Sequence, residues 1–141
     1  MKVTRHSEYL KLASVYLKSA ENSFLSEEEL LENWETLQYL SKPNFKKSLV
    51  EYAAFQTFFR GKNISTCFFP INKKTKIDSI YCRDASIATD FGIIICNMGK
   101  QGRIHEPYAQ LEAYKINNVN ILCEIKFPGA LEGGEIGRAH V

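Results

Sequence analysis

The sequence is poor in the residues that punctuate or staple a chain. Four prolines and eight glycines in 141 residues exclude a collagen-like or low-complexity polypeptide. An excess of one charge is also lacking. Eighteen Lys and Arg stand against 16 Asp and Glu, a formal net charge of +2. The charges are mixed along the chain with no basic face, which argues against a nucleic-acid partner. No stretch approaches the roughly 18 apolar residues of a membrane-spanning helix, so no membrane partner is expected. Met1-Lys-Val-Thr-Arg-His6 is followed by no apolar run of the kind a signal peptide carries, and the expected location is cytoplasmic. There is no G-x-G-x-x-G and no phosphate loop, hence no sign of a nucleotide site, and no cofactor is expected.

Cysteine is sparse and irregularly placed. Cys67, Cys82, Cys96 and Cys123 form no C-x-x-C pair, which argues against a zinc site, and no metal is expected. Each lies in an apolar, strand-like stretch, and all are expected to be reduced and buried.

What remains is globular composition, 45% hydrophobic and 24% charged, enough for one domain or a large piece of one. Leu12 to Leu17 reads as a strand. Ser26-Glu-Glu-Glu29 is a capping pattern opening a helix, with Leu30, Trp34 and Leu37 on one face. A second helix is expected after Pro43, stopping at Gly61, then a strand over Ile64 to Phe69. Ile80 to Cys96 reads as a hairpin turning at Asp90-Phe-Gly92, its second arm a central strand. A helix follows from Glu106 to Ile116, beginning near Pro107, and a strand from Asn120 to Ile125. The order β-α-α-β-β-β-α-β is α/β or α+β.

Two acidic clusters stand out, Asp78-Ser-Ile-Tyr-Cys-Arg-Asp84 and Leu131-Glu-Gly-Gly-Glu135, each in an apolar, strand-like setting. Between them lies Arg103, in Gly-Lys-Gln-Gly-Arg-Ile-His-Glu-Pro. A carboxylate away from water needs a cationic partner. Two carboxylates converging on one planar cation suit a guanidinium, whose N–H groups form a fixed fork. Taken singly, Arg83-Asp84 reads more readily as a structural ion pair, Gly133-Gly134 as a tight turn and Arg103 as a solvated loop charge.

The C-terminal Ile136-Gly-Arg-Ala-His-Val141 resembles the translation of a common sequencing adapter. On that reading the adapter also completes the codon of Glu135, and an aspartate is the expected native residue there. Residues 136–141 are then non-native, and Arg138 and His140 carry no functional weight.

From Leu12 to Gly134, and most sharply from Asp78 onward, the chain resembles the guanidino-group-modifying superfamily: arginine deiminases, dimethylarginine dimethylaminohydrolases and amidinotransferases. The matching pieces are Asp78-x-x-x-x-Arg83-Asp84, Gly99-Lys-x-x-Arg103-x-x-Glu106 and Glu132-Gly-Gly-Glu135. They are spaced by 6 residues (78 to 84), 19 (84 to 103) and 48 (84 to 132). The resemblance implies an α/β fold, the five-bladed propeller of ββαβ units called the pentein fold, with residues 1–135 supplying about two blades of a single domain. It implies attack by a cysteine thiolate on the guanidinium carbon of arginine or a related small compound, and hydrolysis of the amidino-enzyme. An amidinotransferase passing the group to an amine, or a guanidine-binding protein without catalysis, are the alternatives.

Carried over by position, Asp84 and Glu135 would accept hydrogen bonds from the substrate guanidinium, and Glu132 would orient the catalytic histidine. Arg103 would bind a substrate carboxylate and Asp78 its ammonium, although in some relatives the arginine and acid brace the pocket. The family's cysteine and histidine match nothing here, so the chain as it stands is expected to be inactive. Cys82 is not at a family nucleophile position, and His6 and His105 read as loop or surface residues.

Overall fold

The computed structural model describes residue 6 and residues 10–137. The chain divides into two compact units, one of them Lys11–Ile80, the other carrying the described residues from Tyr81 onward.

In Lys11–Ile80 a parallel pair of strands, β1 (Ser14–Leu17) and β2 (Ser65–Phe68), is connected through three helices. These are α1 (Ala20–Phe24), α2 (Glu27–Asn33) and α3 (Phe45–Gly61). A parallel pair requires a long crossover, and the helices supply it. Ser19 and Ser26 cap α1 and α2, their hydroxyls accepting from Asn22 N and Glu29 N, as the serine-acid pattern at Ser26 predicts. The short α1 was not expected from the sequence, because its five residues carry no full period of apolar spacing. The core gathers Ala20, Phe24, Leu30, Leu37 and Ile77, with Trp34 packed against it. Gly61 closes α3, but the left-handed residue that turns the chain is Asn63 (φ 55°), a residue type that tolerates this region.

From Tyr81 the order is ββαβ. Strands β3 (Ser86–Thr89) and β4 (Gly92–Ile95) form an antiparallel hairpin. Helix α4 (Glu106–Ile116) then crosses to β5 (Ile121–Glu124), parallel to β4. β4 is central, as its run of isoleucines predicts. Gly92 takes φ 138°, and a Cβ there would sit 2.6 Å from Asn120 Nδ2, so the turn requires glycine.

Three expectations are corrected. The first hairpin arm is shorter than predicted, because Ile77–Ile80 is a 3₁₀ turn and the chain reaches β3 only at Ser86. The acidic clusters consequently lie in turns rather than strands. The four cysteines are free, but only Cys96 is buried; Cys67 and Cys123 are exposed and Cys82 is half-buried. Cys67 and Cys123 lie in β2 and β5, strands left largely exposed or half-buried, so an apolar neighbourhood in sequence does not guarantee burial. Of the tail, residues 138–141 lie outside the described residues.

Candidate functional site

The unit beginning at Tyr81 brings three of the sequence motifs together. The turn before β3 carries Asp84, its amide donating to Tyr81 O at 3.1 Å. After β5 the chain turns back and pairs with Asn97, beyond β4, through the bridge Asn97–Leu131. Asn97 Nδ2 also donates to Gly129 O at 2.6 Å. The next residues, Glu132-Gly133-Gly134-Glu135, are thereby laid against the Asp84 turn, and Gly133 N donates to Asp84 O at 2.7 Å.

The two glycines are needed for space. A Cβ on Gly133 would lie 2.3 Å from Arg83 O, and one on Gly134 would lie 2.1 Å from Asp84 Oδ1. Neither has a positive φ, so contact with the acidic turn, rather than backbone freedom, demands glycine. The tight-turn reading is incomplete, since what these residues do is bring backbone up to the carboxylate.

Arg103 is buried at 6% exposure and sits in a 3₁₀ turn, Gln101–Arg103, just before α4. Its guanidinium is engaged on every nitrogen. Nε and Nη2 donate to the two carboxylate oxygens of Glu106 at 2.9 and 2.8 Å. Nη1 donates to Asp84 Oδ2 at 2.8 Å, and Nη2 also reaches Tyr81 O at 3.3 Å. Glu132 Oε2 stands 3.9 Å from Nη1. Burial opposes the charged form, but hydrogen bonds and charge from Glu106, and then from Asp84, outweigh it and raise the Arg103 pKa above its ordinary value. The guanidinium on which the acids converge is thus the chain's own. These bonds match the bracing arrangement that stands beside substrate-carboxylate binding as the alternative role of Arg103.

Asp84 and Glu132 are partly exposed, at 22% and 25% for their side chains. Glu135 is exposed in the 3₁₀ turn Gly133–Glu135. Asp78 is buried in the other unit, in the turn Ile77–Ile80. His105 is exposed and precedes α4.

A polar network missed by the sequence reading lies beside the site. Gln110 Nε2 donates to Cys82 O at 2.7 Å, and the Ser86 hydroxyl meets Gln110 Oε1 at 2.6 Å and Tyr114 OH at 2.9 Å. Glu106, Gln110 and Tyr114 fall at i, i+4 and i+8, one face of α4. That face mixes polar groups among buried Pro107, Leu111 and Ala113. A buried polar stripe of this kind was the available signal.

Cys96, beside this cluster, is unsuited to nucleophilic chemistry. Burial pushes its thiol up to about 11, with the charges of Asp84 and Glu132 adding to the rise. Among the described residues no group of three or more His, Cys, Asp or Glu is arranged to hold a metal ion, and no helix is long and apolar enough to cross a membrane.

No family model and no curated protein matches the chain. Solved structures do match. One is the dimethylarginine dimethylaminohydrolase of Pseudomonas aeruginosa, a cysteine-to-serine variant in complex with citrulline. It superposes with a TM-score of 0.70 at 18% identity, over 89% of this chain and 46% of that one. A histidine-to-glycine variant of a dimethylarginine dimethylaminohydrolase, as the adduct with S-methyl-L-thiocitrulline, matches with a TM-score of 0.64 at 18% identity, over 89% and 46%. A third, the adduct with 4-chloro-2-hydroxymethylpyridine, has a TM-score of 0.64 at 18% identity, over 89% and 44%. The chain spans less than half the length of these structures. Its mixed α/β architecture is therefore part of the fold seen in these dimethylarginine dimethylaminohydrolases.

Proposed function

We propose that this chain is the acid-bearing part of an enzyme that hydrolyses the guanidinium group of arginine or a close derivative. The observation that carries this reading is the Asp84 carboxylate. One of its oxygens is held by Arg103, the other abuts Gly134, and Glu132 stands beside the same arginine. Asp84, Glu106 and Glu132 gather round Arg103, and a partly exposed carboxylate beside that brace can accept from a further planar cation.

In this reading Asp84 accepts hydrogen bonds from the substrate guanidinium, with the acid at position 135 as its second acceptor. Glu132 orients a histidine supplied by further chain. A cysteine thiolate, also from further chain, attacks the central guanidinium carbon. The C–N bond breaks as the histidine protonates the departing amine. Water then attacks the amidino carbon, giving a ureido product and returning the thiolate. The citrulline bound to the Pseudomonas relative is a ureido amino acid of that kind. The raised thiol of Cys96 favours a nucleophile from elsewhere.

The test is steady-state assay of the complete gene product on arginine and dimethylarginine, following ureido product, with and without an added amine acceptor. Hydrolysis without acceptor is expected. Turnover only with an amine would mean a transferase, and guanidine binding without turnover would mean a binding protein.

A further inference from the structure

The segment that returns from β5 to the site has little of its own to hold it. Lys126 to Ala130 are all exposed, so burial anchors no side chain in this stretch. Gly129 N donates to Lys126 O at 2.9 Å, which closes the turn without tying it to the sheet. The ties to the sheet both come from Asn97, just beyond β4. Its carbonyl accepts from Leu131 N at 2.9 Å, and its Nδ2 donates to Gly129 O at 2.6 Å. Among the described residues no other side chain hydrogen-bonds the backbone of residues 126–131.

The acid that this segment delivers is not steered by a side-chain partner either. The Glu132 carboxylate accepts no hydrogen bond among the described residues, and its Oε2 stands 3.9 Å from Arg103 Nη1. Its place is set by the main chain on either side. Downstream, Gly133 N donates to Asp84 O at 2.7 Å. Upstream, the Asn97–Leu131 bridge is isolated, and a single bridge specifies register weakly. One residue of slip would turn a side chain to the opposite face. The Asn97 amide adds a second fixed point on the same segment, and two points define its register.

We infer that Asn97 is a positioning residue: by holding Leu131 with its carbonyl and Gly129 with its side-chain amide, it sets the register of the return segment and so places the Glu132 carboxylate beside Arg103. This rests on the reading of Glu132 as the acid that orients a histidine from further chain. Asn97 touches no reacting atom and acts only through the acid it places. A misplacement of about 1 Å from a change remote from the chemistry can cost on the order of 100-fold in rate.

The experiment is a double-mutant cycle between Asn97 and Glu132, read as kcat for ureido product formation by the complete gene product. Asn97→Ala keeps the backbone bridge and removes the hold on Gly129. Its kcat is expected to fall by about tenfold or more. In a Glu132→Gln background the same change is expected to lower kcat by less than about threefold, because the group it acts through is already gone. A merely structural role, such as a smaller folded fraction, would cost the same factor in both backgrounds. That result, or parental kcat in Asn97→Ala, overturns the inference. Asn97→Leu keeps the side-chain volume without the donor and is expected to give the same pattern, which holds the test open if the alanine variant does not fold. Parental kcat in Asn97→Leu overturns the inference as well. Glu132→Gln alone separates the two levels. If it keeps parental kcat, the reading of Glu132 fails and the inference with it. If it loses turnover while Asn97→Ala does not, only the role of Asn97 is refuted.

Discussion

Replacing Gly134 by alanine places a methyl carbon 2.1 Å from Asp84 Oδ1 and 3.3 Å from its Cγ. Gly134 is itself exposed and its backbone conformation is open to any residue. The overlap must therefore be relieved by the Asp84 carboxylate, which can turn only by leaving Arg103 Nη1, now 2.8 Å away. Loss of one charge-assisted hydrogen bond is about 1.5–3 kcal/mol, or roughly a 10- to 150-fold fall in kcat/KM if Asp84 works in the transition state. Stability should change by less than about 1 kcal/mol, since a partly exposed side chain can move into solvent. Gly133→Ala is the control. There the methyl group meets Arg83 O at 2.3 Å, and Ser86 O and Ile87 Cγ1 at 3.1 Å. Backbone cannot step aside, and the 2.7 Å bond from Gly133 N to Asp84 O is lost with it. Overpacking of roughly 1–3 kcal/mol plus about 1 kcal/mol for the hydrogen bond predicts a loss of stability near 2–4 kcal/mol. Thermal melts and steady-state kinetics of both variants in the complete protein make the comparison. If Gly134→Ala keeps parental kcat/KM, or melts as early as Gly133→Ala, then the approach of Gly134 to Asp84 has no functional meaning.

Asp84→Asn should nearly abolish turnover with the circular dichroism spectrum unchanged. Breaking a buried ion pair from one side is worth roughly 3–5 kcal/mol, up to about three decades in rate, and a folded variant with near-parental turnover would contradict the site. The Cys96 thiol, raised by burial to about 11, should resist alkylation at neutral pH while exposed Cys67 and Cys123 react, as peptide mapping by mass spectrometry will show. Between its unfolded value near 9 and about 11, the unfolded chain releases a proton that the folded chain retains. Cys96 should thus contribute a fall in stability as pH rises through that window, and the slope of melting temperature against pH should be shallower in Cys96→Ala. Leu30→Ala, at a side chain with 0% exposure in the Lys11–Ile80 core, should lower stability by about 2–5 kcal/mol. Equal melting temperatures would mean that α2 does not hold that core.

Local signals were legible from the sequence wherever one residue and its near neighbours decide the outcome. The Ser26 cap, the start of α4 at Pro107 and the apolar β4 follow from short-range rules. The three motifs were also visible as an ordered set, because their residue types are unusual together. Burial of the cysteines was not, since a four-residue strand with an apolar neighbourhood can still turn one side to solvent. Nor was the short α1, which has too few residues to show a period. The sequence by itself determined that acids and an arginine would need one another, because charge removed from water requires a partner. Only the tertiary structure decided which acids share Arg103. That choice depends on the turn of chain after β5 that lays Gly133 and Gly134 on the Asp84 turn, and on α4 aiming Glu106 at both Nε and Nη2. Distances of this kind arise between segments remote in sequence, and no spacing along the chain encodes them.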